Sequence, residues 1–152
     1  MTGGDDFRLQ TVLNYKSHMV DAIEMEFARL KLAHKHEEAM LVALQETEEH
    51  EAETLRQRQT GLLDCSEIVL RQDHLHSLQD HVVQQNDRVN EAAQRVGCKR
   101  EELVETMQDH EALEKLRERH VARLAKEMDL REARAVDDIV TGRYVRERRR
   151  HA

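Results

Sequence analysis

The sequence predicts an all-α fold: a long antiparallel two-helix coiled-coil hairpin whose second helix is longer than the first. Three observations carry this. Apolar residues recur at heptad spacing in two long stretches. One short break, Gln59-Thr60-Gly61, separates them. And the composition suits little else. The 152 residues are 36% charged and 3% aromatic, with five Gly, no Pro and no Trp. A sandwich, a barrel or a mixed α/β enzyme needs turn residues and strand-forming side chains that this chain lacks. A hydrophobic share of 39% is low for a compact core and fits a narrow apolar seam.

Residues 1–6 are expected to be a disordered N-terminus, with Asp5 or Asp6 able to cap the helix that follows. From Leu9, alternate steps of four and three meet Leu9, Leu13, Lys16, Val20, Ile23, Phe27, Leu30, His34, Glu37, Leu41, Leu44, Glu48, Glu51, Leu55, Arg58 and Leu62. Ten of these sixteen are apolar, enough to require a partner helix along the stretch. The seam weakens at Glu48 and Glu51. Between Glu37 and Glu53 there are seven acids and no Lys or Arg, which reads as a solvated, fraying helix end.

Gly61 is placed to end the first helix in a left-handed conformation, with the hairpin tip near 59–64. Beyond it, steps of seven give Ile68, Leu75, Val82, Val89, Val96 and Leu103, and Leu78, Ala92 and Leu113 extend the stripe. Leu113, Leu116, His120, Leu124 and Met128 continue it with a change of phase, the mark of a stutter. The second helix is expected to pass unbroken through Gly97-Cys98, because one mid-helix Gly costs only about 1 kcal/mol. The rival is a second turn there, giving helices over 7–59, 63–95 and 99–141. The second helix ends near Val140 or Tyr144. One hairpin domain then covers 7–146, and 147–152 forms a basic disordered tail. A turn at 61–64 pairs residues whose numbers add to about 125. Ile23 then meets 102–104, Leu44 meets 80–82, and Phe7 lies opposite 118. Residues after 119 project beyond the hairpin or are covered by another protein.

The formal net charge of -7 argues against nucleic acid as a partner. No apolar run approaches the roughly 18 residues of a membrane helix. The polar, acidic start does not read as a secretory signal. Cys65 and Cys98 read as free thiols in a reducing compartment, so the expected location is the cytoplasm. No cofactor and no metal are expected. His34-x-His36 and His74-x-His76 splay their rings about 200° apart on a helix. His50 could meet His74 or His76 across the hairpin, which gives at most a two-ligand site, short of the four a structural zinc requires. No phosphate-cradling loop and no nucleophile beside an ordered base is present, and a thin coiled coil offers no dry pocket for catalysis.

Several blocks resemble the FliJ-type flagellar export proteins, soluble coiled-coil components of the flagellar type III secretion apparatus. Phe7-Arg8-Leu9-Gln10-Thr11-Val12-Leu13-Asn14-Tyr15-Lys16 resembles the family's start. Gly61 stands where the family has its tip glycine. The stretch from Leu75 to Gln85 resembles the segment after the tip, and Glu111 to His120 the late block with a leucine pair among charges. Glu132 through Arg143, with Asp137-Asp138-Ile139, resembles the family's end. The likeness covers Phe7 to about Arg146 and lies in the order of features. The chain departs from the family just after the tip, where relatives carry aromatics and this one has His74 and His76.

The resemblance implies a non-enzymatic stalk or adaptor, similar to the central stalk of rotary ATPases. It implies three partners: the flagellar export ATPase hexamer, the cytoplasmic part of the export-gate membrane protein, and export chaperones. Location would be cytoplasmic, peripheral at the inner face of the inner membrane through those partners. The two chain ends would enter the ATPase ring, through Leu9 and Leu13 at the start and Ile139, Arg143 and Arg146 at the end. His74, Leu78, His81 and Gln85, spaced 4, 3 and 4, lie on one side of a helix and match the family's export-gate contact. On this reading Leu78 is the anchor, and Leu78→Asp abolishes gate binding with the hairpin still folded. Near the end of the chain, the eight positions 143–150 carry five arginines, Arg143, Arg146, Arg148, Arg149 and Arg150. They would steer into an acidic ring; contact with anionic lipid or nucleic acid is the other reading of this tail. Two other function classes stay open: a homo-oligomeric structural coiled coil, and a DNA-associated helical protein. The equivalent stalk of a virulence-type secretion system is a variant of the first reading.

Overall fold

The computed structural model describes residues 7–62 and 64–150, and the expectations for 1–6 and 151–152 lie outside them. Two helices make up the fold: α1 over Gln10–Arg58 and α2 over Cys65–Arg150. They pack against each other, α2 is the longer, and there is no strand among the described residues. α2 runs unbroken through Gly97, and its last residues include 147–150, which sequence assigns to the tail.

Both ends of the connection are set by local chemistry. The amide of Gln59 still donates to Leu55 O at 3.1 Å, and that of Thr60 turns back to Gln57 O at 3.3 Å. Gly61 then takes φ of 105°, a conformation side chains resist. Asp64 caps α2. Its carboxylate accepts from the amides of Ser66 at 3.0 Å and Glu67 at 3.3 Å, two of the donors a helix start leaves free. The signal was present as Asp64-Cys65-Ser66-Glu67, an acid three residues before a Glu. Asp64→Ala is expected to cost about 1 kcal/mol, read as a lower urea midpoint with unchanged helical content at low denaturant.

By internal packing the chain forms two units, each built from both helices. One joins α1 from Val20 to α2 up to Glu105; the other joins the start of α1, through Met19, to α2 from Thr106. In the first, Ile23, Leu55 and Leu78 are buried, and Phe27, Leu30, Leu41, Leu44, Ile68, Leu75, Val82, Val89 and Val96 are half-buried. In the second, Leu13 and Thr106 are buried and Phe7 packs its ring on His120 at 5.7 Å. Each unit is a seam one side chain deep. No described side chain is fully enclosed, so many partly covered apolar groups share the stabilisation.

Pairing across the seam follows the expected register. Lys16 meets Asp109, Lys99 meets Glu26, Gln85 meets Glu37 and Arg71 meets Glu51. Numbers in these pairs add to between 122 and 125, against the expected 125. Every α1 seam position from Leu13 to Leu55 is at least half-covered. The expected stutter in α2 does not occur. Leu116 is exposed, and coverage passes from Thr106 through His110, Leu113 and His120 to Leu124 at heptad spacing. Following leucines alone misreads the phase, because the seam itself admits Thr and His.

Candidate functional site

Two regions carry candidate residues. The first is the face of α2 after the connection. His74 and His81 are exposed there. Leu78 and Gln85 are not: they are 7% and 3% exposed and belong to the seam. A step of seven from Leu78 reaches Gln85, so both sit where α1 lies against α2. Nε2 of Gln85 donates to the Glu37 main-chain oxygen at 3.1 Å and also to the Glu37 carboxylate. The four residues share one side of α2, but only the histidines present a surface. Apolar neighbours Val69 and Leu70 are exposed on the same turns and line a groove with Cys65, Ser66 and Asp73.

The second region is the end of α2. Every described residue after Leu124 is exposed except the half-covered Gly142. Met128, Leu130, Val136, Ile139, Val140, Tyr144 and Val145 are exposed apolar side chains in that stretch. Ile139, Arg143 and Arg146 are all exposed. The arginine-rich end is helical: Arg146 Nε donates to Gly142 O at 3.2 Å, and Arg148 lies 5.8 Å over the Tyr144 ring. Near the chain start Leu9 is exposed, while Leu13 is buried in the seam.

The sequence reading missed a ladder of polar side chains on α2. Arg71, Gln85, Lys99 and Thr106 fall in the same heptad phase as Leu78, Ala92 and Leu113, and all four are buried or half-buried. The phase was legible, and only a search limited to apolar residues hid it. Arg71 is held by Glu51 at 3.2 Å and Glu67 at 3.1 Å. Glu51, expected to fray the helix end, thereby becomes a seam partner. Lys99 Nζ lies 2.7 Å from Glu102 and 3.0 Å from Glu26. Hydrogen bonds to Glu102 first and Glu26 second raise its pKa above the usual lysine value.

Among the described residues no three of His, Cys, Asp and Glu gather in a way that would hold a metal ion. Cys65 and Cys98 are exposed and unbridged. No described helix is long and apolar enough to cross a membrane. What the arrangement offers is binding surface: exposed apolar and basic groups on α2, beside a seam fixed by polar pairs.

A family model described as flagellar FliJ protein matches residues 5–149, nearly the whole chain. No curated protein and no solved structure matches it.

Proposed function

The chain belongs to the FliJ family of flagellar proteins, which ties it to flagellar protein export, and from this we propose that it is a non-enzymatic stalk and adaptor of the export apparatus. Its chain ends enter the ring of the export ATPase and promote ring assembly and ATP hydrolysis. One observation supports this above others. The end of α2 after Leu124 is a helix with exposed Met128, Val136, Ile139 and Val140, followed by an arginine-rich last turn. A helix with uncovered apolar groups gains by entering a partner, and arginines steer it toward carboxylates. Ile139, Arg143 and Arg146 make the ring contact from α2 and Leu9 from the chain start, while Leu13 holds α1 in place. Such a stalk accelerates hydrolysis by binding one state of the ring better than another, which shifts the ring's population.

The export gate docks on the exposed side of α2 after the connection, through His74 and His81, with Leu78 and Gln85 holding that turn against α1. Export chaperones are a further partner of the same adaptor. The protein works in the cytoplasm, held at the inner face of the inner membrane by these partners.

The test is ATP hydrolysis by the purified export ATPase, with the full chain and with the chain cut after Arg134. The full chain is expected to raise hydrolysis and ring assembly several-fold, and the cut form to do neither. Equal stimulation by both would remove the end of α2 from the mechanism.

A further inference from the structure

α1 carries a second heptad stripe on the side away from the seam. Met25, Ala28, Leu32, Lys35, Ala39 and Val42 follow steps of three and four, and all are exposed. Met25 and Leu32 are 76% and 69% exposed, and Val42 is also open. Large apolar groups so placed on a helix otherwise rich in charge need a cover. A groove of about 570 Å³ opens beside the stripe, lined by Phe27, Ala28, Lys31, Leu32, Lys35 and Val96 among others.

The charges along this stretch include two blocks of one sign each. Residues 29–36 hold Arg29, Lys31 and Lys35 and no acid; residues 46–53 hold Glu46, Glu48, Glu49, Glu51 and Glu53 and no Lys or Arg. Glu48 and Glu51 turn toward the seam, whereas Glu46, Glu49 and Glu53 are exposed on the outside. Arg29, Lys35, Glu46 and Glu49 have no ion-pair partner among the described residues, in contrast to the seam charges. The small residues Ala39 and Ala43, with Val42, lie between the blocks.

We infer that two copies of this chain pair antiparallel through the outer face of α1, about a two-fold axis between Ala39 and Val42. With Ala39 set against Val42 of the second copy, the stripe's own spacing sets every other layer. Lys35 meets Glu46 of the second copy, Leu32 lies along the stem of its Glu49, and Ala28 faces its Glu53 beside Arg29. Each meeting occurs twice. Small residues at the centre let the helices approach closely, and the basic block of each copy lies along the acidic block of the other. The contact is isologous, so it closes at a dimer. Surface ion pairs add little singly; a block of them facing its opposite sets orientation and excludes the parallel arrangement, which puts like charges together.

Sedimentation equilibrium from roughly 1 to 100 µM tests the pairing. The expected mass rises toward twice the 17.9 kDa of one chain, and association weakens with added salt. Arg29→Glu with Lys35→Glu in one variant, and Glu46→Lys with Glu49→Lys in another, are each expected to associate at least about tenfold more weakly. All four positions are exposed, and circular dichroism checks that both variants keep their helix content. Mixed in equal amounts, the two variants are expected to regain the dimer, because each reversed block then meets its opposite. A chain that stays monomeric throughout, or a mixture no tighter than its components, overturns the proposal and leaves the stripe to a different protein.

Discussion

Leu78→Asp is expected to unfold the part of the chain where α1 lies against the first turns of α2, and to produce the largest loss of stability of any single change at the candidate sites. Leu78 is one of three buried apolar side chains in the unit spanning Val20 to Glu105. Truncating a buried Leu costs about 2–5 kcal/mol, and a thin seam that can partly collapse falls at the low end. Aspartate does more than truncate. It places a carboxylate on the seam between half-covered Leu75 and Val82, where an apolar side chain stood. The total is expected to reach about 4 kcal/mol or more. Urea unfolding followed by circular dichroism reads it directly. His74→Ala and His81→Ala, at exposed positions, are expected to shift stability by no more than about 0.5 kcal/mol. Export-gate docking is therefore tested at the histidines. Lost binding by the double histidine variant, with an unchanged midpoint, is the expected result. Lost binding by Leu78→Asp would report only that the seam is broken.

The helices and their pairing were legible because heptad spacing is a direct physical requirement: a residue either faces the partner helix or it does not. Leu13, Ile23, Leu55 and Leu78 could be placed on the seam by counting, and the connection by Gly61 alone. What could not be read was which polar residues the seam accepts. Glu51 looked like a fraying residue because its partner Arg71 lies 20 positions away and counts as a surface charge until the register is imposed. Gln85 looked like part of a docking face because a spacing of 4, 3 and 4 places residues on one side of a helix without saying what that side meets. The stutter near Leu116 was inferred from leucines, while the seam ran through His110 and His120. The imidazole of His120 shows how far that tolerance goes: it packs against Phe7, and its buried Nε2 has no hydrogen-bond partner among the described residues. The outer stripe of α1 escaped for the opposite reason. Once one apolar stripe had explained the helix, the remaining Met25, Leu32 and Val42 passed as scattered surface residues.

The Glu37–Gln85 layer is expected to hold the helices in register, and its removal to separate stability from alignment. Gln85→Ala takes away a side chain that is 3% exposed and two hydrogen bonds, and leaves the Glu37 carboxylate half-covered without its donor. A loss of about 2 kcal/mol is expected in urea unfolding. Replacing both partners, Glu37→Leu with Gln85→Leu, is expected to restore or exceed the parent midpoint, because an apolar pair incurs no desolvation penalty. Alignment should suffer instead. A slip of one heptad keeps every leucine on the seam but brings Glu37 against Leu78 or Ala92, and Glu51 loses Arg71. In the parent chain these mismatches leave charged or polar groups facing apolar ones, so the slipped states are disfavoured. In the double-leucine variant the mismatch at 37 and 85 disappears. Distances between spin labels on exposed positions of α1 and α2 are expected to show one narrow population in the parent and a broadened one in the variant. A narrow distribution in both would assign the register to the remaining pairs, Arg71 with Glu51 and Lys99 with Glu26. If the two ends present Leu9 and Ile139 to one ring, as proposed, the chain requires a fixed register more than maximal stability, and that is what a polar layer in a leucine seam provides.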